Sequence, residues 1–173
     1  MENRIPWPKR GGWLGAIAIF FFLAAGAAGA DSQKSGGKEK DGGRGKYLTI
    51  ITGCNDCHTP GFAESGGTVP QKDWLTGDRV GWSDPWGTTY PANLRIYISD
   101  LSEDKWVKKS RLLKSRPPMP WWVLHTLTDE DTRTLYRFIK SLGRKGQVAP
   151  SHVPANQEPT TPYILFFPQP RKK

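Results

Sequence analysis

The sequence predicts a helical domain of few, short helices, set among long loops and followed by a C-terminal extension. Three observations predict it. The segment from Thr128 to Gly143 has every mark of an amphipathic helix: Thr128 at the cap, three acids behind it, an apolar stripe, and a terminal glycine. The 19 Gly and 15 Pro, about a fifth of the 173 residues, favour loops over long regular elements. Only Arg95–Ser99 (RIYIS) reads as a short strand.

Composition narrows the field further. The 25 Lys and Arg against 16 Asp and Glu give a formal charge of +9 and a pI near 9.7. Hydrophobic residues at 36% allow a packed core of modest size. The two cysteines exclude a multi-bridge disulfide scaffold and a four-cysteine zinc site. With one long apolar run, the chain is not a multi-span membrane protein.

Taken in order, residues 1–30 read as an export segment. Arg4, Lys9 and Arg10 precede an apolar run from Trp13, and Ala28 and Ala30 offer the small residues of a cleavage site before Asp31. The alternative is an uncleaved anchor, since Trp13–Ala30 reaches the short edge of the roughly 20 residues that span a bilayer. Residues 31–45 are Gly/Lys-rich and read as a flexible linker. A domain is expected over 46–143. Tyr47, Ile50 and Ile51 at i, i+3, i+4 give a short amphipathic helix, and residues 60–99 are Gly-, Pro- and Trp-rich loop. Asp100 with Glu103 three residues on is a capping box for a helix whose apolar side is Trp106, Val107, Leu112 and Leu113. That helix must end before Pro117-Pro118-Met119-Pro120, because proline has no N–H for the helical ladder. Trp121–Leu127 reads as another short helix. The last carries Leu135, Phe138, Ile139 and Leu142 inward and stops at Gly143. Residues 144–173 form a Pro-rich extension with one apolar knot, Tyr163–Phe167, and the chain has no internal repeat.

The chemistry concentrates in Cys54-Asn55-Asp56-Cys57-His58, a C-x-x-C-H attachment signature for c-type haem. Thiols three residues apart on a helical turn face one side, where both reach the vinyl groups of one porphyrin. The next residue, His58, is then placed to ligate iron. Export agrees with such attachment, and the lack of a third thiol avoids wrong pairing in an oxidising compartment. Three other uses are weighed against it. A thioredoxin-type pair wants a strand before Cys54, which is absent from the pattern. A zinc site needs Cys54, Cys57 and two histidines, but His125 and His152 lack H-x(3–5)-H spacing. A Cys54–Cys57 disulfide closes a tiny, strained loop.

One axial position stays open. The candidates are Met119, His125 and His152. Met119 stands 61 residues after His58 with prolines at 117, 118 and 120, which fix the direction of its thioether, and Trp121 and Trp122 offer a wall. His125 is the rival and would give a bis-histidine haem of lower potential.

The segments GCNDCHTPG, GWSDPWGTTYPANL, RPPMPWW and LTDEDTRTLYRFIKSL, over about residues 46–143, resemble the monohaem class I c-type cytochromes of the bacterial periplasm. The resemblance implies an all-α fold in which the first and last helices cross, one covalent haem c, and His58 and Met119 as axial iron ligands. In many relatives a proline carbonyl about a dozen residues after the histidine orients the imidazole; here Pro70 stands at that distance and Pro60 closer. Trp74, Trp82, Trp86 and Tyr90 are expected to line the crevice. Arg79, Trp86 and Asn93 are candidate haem contacts.

The expected role is therefore a periplasmic electron carrier and not an enzyme. Two alternatives are the cytochrome subunit of a dehydrogenase or oxidase, and a haem sensor with His125 or an open site in sixth position. Lys105, Lys108, Lys109, Arg111, Lys114 and Arg116 would steer a redox partner with an acidic docking surface. Nucleic acid is not expected as a partner, because no aromatic–basic interleaving is present. Membrane association is expected only if residues 13–30 are retained.

Overall fold

The computed structural model describes residues 35–168, so the expected export segment lies outside the described residues. The element order is α1 (Ser35–Ile51), α2 (Cys54–His58), a 3-10 turn (Gln71–Asp73), β1 (Gly81–Asp84), β2 (Gly87–Thr89), α3 (Leu94–Ser99), α4 (Glu103–Leu112), α5 (Trp122–Thr126), α6 (Asp129–Ser141) and β3 (Tyr163–Leu165). No helix among the described residues is long and apolar enough to cross a membrane.

This corrects the expected all-α class. Among the described residues the architecture is mixed: six short helices and a three-stranded sheet of order β2-β1-β3. β1 and β2 form an antiparallel hairpin with Trp82 opposite Thr89, whereas β3 runs parallel to β1 with Trp82 opposite Ile164. Strands of three or four residues are too short to display an alternating pattern. The third strand comes from the extension, so no local window of sequence contains the pairing. Gly87 is needed at the hairpin because its φ of +90° suits glycine and because a Cβ there would strike the Val153 carbonyl.

The helix α1 also differs in which face it buries. Tyr47, Ile50 and Ile51, expected to point inward, are 55%, 46% and 56% exposed. The buried face is Gly45, Leu48 and Thr49, and it packs on α6. The reason is close approach: a Cβ on Gly45 would overlap Phe138 Cβ and stand 2.9 Å from the Thr134 carbonyl oxygen. A hydrophobic periodicity does not register glycine or threonine, so it selects the opposite face. α1 and α6 nevertheless pack against each other.

Two further boundaries shift. Arg95–Ser99, expected as a strand, lies in α3, because the Asn93 side chain caps the helix by accepting from the Ile96 amide at 3.0 Å. Helical spacing then puts Arg95 and Ile98 inside. The capping box at Asp100 is replaced by Ser102, whose hydroxyl accepts from the Lys105 amide at 3.4 Å. Glu103 instead accepts from Arg133 and Arg137 of α6, at 3.3 and 2.8 Å. Trp106 and Val107 are buried as expected, whereas Leu112 is exposed.

The last helix follows the pattern. Thr128 accepts from the Asp131 amide at 3.0 Å, and Leu135, Phe138 and Ile139 are buried against Leu48, Trp74 and Ile98. Each such side chain contributes about 1.5–3 kcal/mol through area removed from water. The carboxyl end of α6 is closed by Arg95, which is buried and donates to the carbonyls of Leu142, Gly143 (2.6 Å) and Lys72 (2.8 Å). A guanidinium there meets both the orphan carbonyls and the negative end of the helix dipole.

Candidate functional site

The first wall of the site is local. Gly53, at φ +69°, breaks α1 so that α2 starts at once, and three-residue spacing sets Cys54 and Cys57 on one turn. Both thiols are free. Cys54 is buried and hydrogen-bonded with the Thr52 hydroxyl at 3.1 Å, while Cys57 is half-buried. Burial raises both thiol pKa values, so each remains a neutral thiol at neutral pH.

His58 is buried, with Nδ1 2.7 Å from the Ala92 carbonyl oxygen. A carbonyl only accepts, so Nδ1 carries the proton and the Nε2 lone pair of the neutral ring is left for a ligand. Burial lowers the His58 pKa and thus favours that neutral form; the Ala92 contact opposes it less strongly. The orienting carbonyl is therefore that of Ala92, not that of Pro60 or Pro70. Behind α2, Thr59 donates to Asn55 Oδ1 at 2.8 Å and accepts from the Leu75 amide at 2.8 Å, which fixes the end of the motif to the core.

Two cavities open against this wall, with about 760 and 820 Å³ of space not occupied by atoms, their mouths included. Cys54, His58, Ala92, Ser115, Met119 and Leu124 line both. The first continues past Cys57, Trp82, Thr89, Tyr90, Arg116 and Val123. The second runs inward along Leu94, Trp106, Leu113, Leu135 and Ile139, and is apolar. Met119 is half-buried and packs against the core from the loop between α4 and α5. The fold thus brings Cys54, Cys57, His58 and Met119 to one cavity.

The rival histidines sit elsewhere. His125 Nε2 is 3.1 Å from the Leu113 carbonyl oxygen, its ring lies 5.1 Å from Trp121, and it lines neither cavity. His152 Nε2 lies 2.9 Å from the Trp86 carbonyl oxygen, in the extension. Among the described residues no group of three or more His, Cys, Asp or Glu side chains is disposed to hold a metal ion. The zinc arrangement weighed above therefore lacks its histidine pair.

Of the expected crevice residues, Trp82 and Tyr90 line the first cavity. Trp74 is core, edge-on to Phe62 and Phe138. Trp86 packs on Phe166 and Phe167 of the extension. Asn93 caps α3 and donates to the carbonyls of Lys145 (2.8 Å) and Gln147 (3.0 Å), and Arg79 is exposed. Arg79, Trp86 and Asn93 are absent from both linings. Sequence reasoning missed Ala92, Thr89, Ser115 and Leu124. A backbone carbonyl has no residue signature, although Ala92 lies in the GWSDPWGTTYPANL segment that carries the family resemblance.

Two neutral thiols, a preset imidazole and a thioether around a mostly apolar cavity are a donor set that suits a covalently attached haem. No protein-family model, curated protein or solved structure matches the chain.

Proposed function

We propose that the chain is a monohaem c-type cytochrome that carries electrons outside the cytoplasm. The observation that carries the reading is the convergence of Cys54, Cys57, His58 and Met119 on one cavity, with His58 Nδ1 already committed to Ala92. Haem bound there supplies a one-electron iron(III)/iron(II) couple.

Each residue then has a physical task. Cys54 and Cys57 would hold the haem covalently through their two thiols. Ala92 holds the tautomer and ring angle of His58, as carbonyls behind metal-ligating histidines do. Met119 offers a neutral, soft donor from the other wall, which favours the reduced state and raises the potential. Leu94, Leu124, Leu135 and Ile139 keep water out. Lys105, Lys108, Lys114 and Arg116 are exposed on or after α4, and Arg116 and Lys109 reach the two cavities, so an acidic redox partner is the matching surface. Arg111 is not free for that task, since it pairs with Asp129 at 2.7 Å.

The test is a redox-difference spectrum of the full chain made in a host that attaches c-type haem, beside Met119→Ala. The expected result is covalent haem in both, with a long-wavelength sulfur-to-iron band in the oxidised wild type that the variant lacks. Covalent haem without that band removes Met119 from the iron and turns the reading toward a sensor with an open site. A protein that binds no haem overturns it.

A further inference from the structure

The Met119 wall is built very differently from the His58 wall, and its support is assigned by nothing in the motif. Residues 113–121 carry three prolines, at 117, 118 and 120, so this stretch has few N–H groups with which to bond to the rest of the domain. Its backbone bonds are local: Met119 N donates to Arg116 O at 3.3 Å and Trp121 N to Met119 O at 2.9 Å, while Pro120 O and Trp121 O accept from Val123 N (3.0 Å) and Leu124 N (3.1 Å) just beyond it. Among the described residues, two side chains donate into it from outside. His125 reaches Leu113 O at the loop's beginning, and Thr89 Oγ1 reaches Pro117 O at 2.8 Å, two residues from Met119.

Thr89 is well placed to hold a loop. Its register opposite Trp82 is set by the hairpin, and its neighbour Thr88 is pinned to the extension by a two-way bridge, Thr88 N to Val153 O (2.8 Å) and Val153 N to Thr88 O (3.0 Å). The alternative acceptor for the Thr89 hydroxyl, Trp82 O, is longer at 3.4 Å. Three residues further on, Ala92 presents its carbonyl to His58. The stretch Thr89–Ala92 therefore touches both the Met119 loop and His58, the first through a hydroxyl and the second through a carbonyl.

Resting on the haem reading above, we propose that Thr89 is a positioning residue for Met119: its hydroxyl bond to the Pro117 carbonyl holds the loop closed, so that the thioether stays at the cavity, where it would serve the iron. Without that bond the loop near Met119 keeps its packing and its local backbone bonds, among them Val123 N to Pro120 O at 3.0 Å, but no side-chain bond to the hairpin, and open conformers that release the sulfur gain population. One neutral hydrogen bond shifts such an equilibrium about fivefold.

The test compares Thr89→Val, nearly isosteric but lacking the donor, with Thr89→Ser, which keeps it, in the full-length holoprotein. Thr89→Ala repeats the experiment without the added methyl group. Two readouts follow the sulfur and not the fold: the sulfur-to-iron band of the oxidised form, and the rate at which carbon monoxide binds the reduced form. T89V and T89A are expected to weaken the band and speed carbon monoxide binding about fivefold, with covalent haem content unchanged; T89S is expected to match the wild type. A T89V protein with wild-type band and rate, beside a wild type that shows the band, overturns the proposal and leaves the haem reading standing. So does T89S changing as much as T89V, since the hydroxyl is then not the cause. A wild type with covalent haem but no band overturns the proposal together with Met119 as an iron ligand, and a wild type without haem overturns the haem reading as well.

Discussion

The two walls of the cavity differ in how far along the chain their support extends. The Cys–His wall is five contiguous residues on one helical turn, entered through a left-handed glycine and continuous with α1. The Met119 wall is a proline-rich loop held by Thr89 and His125. Thr89 in turn sits on a sheet completed by a strand some eighty residues away. Local geometry places the two thiols and the imidazole, and long-range geometry places the thioether. If the haem reading holds, damage to the first wall is expected to cost the cofactor, and damage to the second to leave it attached and change only the Met119 ligation.

The largest effect is expected where the first wall meets the core. Gly45 lies at the α1–α6 crossing with Phe138 Cβ and the Thr134 carbonyl where a Cβ would go. Gly45→Leu gains roughly 1 kcal/mol of helix propensity, but it inserts a side chain against backbone and a Cβ, neither of which can swing aside. Overpacking of this kind costs about 3 kcal/mol or more. The expected outcome is net destabilisation, read as a lower urea midpoint at unchanged m-value, with loss of covalent haem in cells as α2 loses its footing. A midpoint equal to the wild type would mean that the helices do not pack this closely.

The legibility of the molecule follows the same division. The terminal helix and the C-x-x-C-H turn are written in contiguous residues, so caps, stripe and spacing predict them. The face of α1 is misread because close packing there uses Gly45 and Thr49, which carry no hydrophobic signal. Arg95–Ser99 is misread because two β-branched isoleucines and a tyrosine resemble a strand, while the deciding cap is the Asn93 side chain just outside it. The sheet is invisible because its strands are three or four residues long and one lies in the extension. Met119 is legible through its flanking prolines, but Thr89 and the Ala92 carbonyl are not, since only the hairpin brings them to the cavity.

A smaller effect separates the two candidate sixth ligands. His125 stacks near Trp121 and donates to Leu113 O, so its work is at the base of the Met119 loop. His125→Phe keeps the aromatic contact and removes the donor. Stability of the holoprotein is expected to fall by about 1 kcal/mol, the net value of one hydrogen bond. The sulfur-to-iron band is expected to remain. Retention of a low-spin spectrum only in the wild type, with a carbon-monoxide-reactive variant, would instead identify His125 as the ligand.

The smallest effect lies at the root of the extension that completes the sheet. Lys145 Nζ donates to Asp73 Oδ1 at 2.5 Å, and this bond holds the Asp73 carboxyl below the usual carboxylate range. Desolvation of Asp73, the second cause in size, pushes the other way. A carboxyl whose pKa is lower in the folded than in the unfolded chain binds fewer protons when folded. Its contribution is therefore fully present above the ordinary value of about 3.9 and is lost as pH falls through the lower folded value. Both side chains are well exposed, so solvent and salt screen the pair and its share of stability is small. Asp73→Asn is expected to show a slightly shallower loss of stability below about pH 4 than the wild type, the two curves converging in more acid solution. Urea midpoints measured across that range in low salt, and again at about 1 M salt where the Debye length falls to about 3 Å, check the sign. The difference between the proteins is expected near pH 5 in low salt and to shrink in high salt; curves that stay parallel through acid would show that the Lys145–Asp73 bond does not tie the extension to the domain.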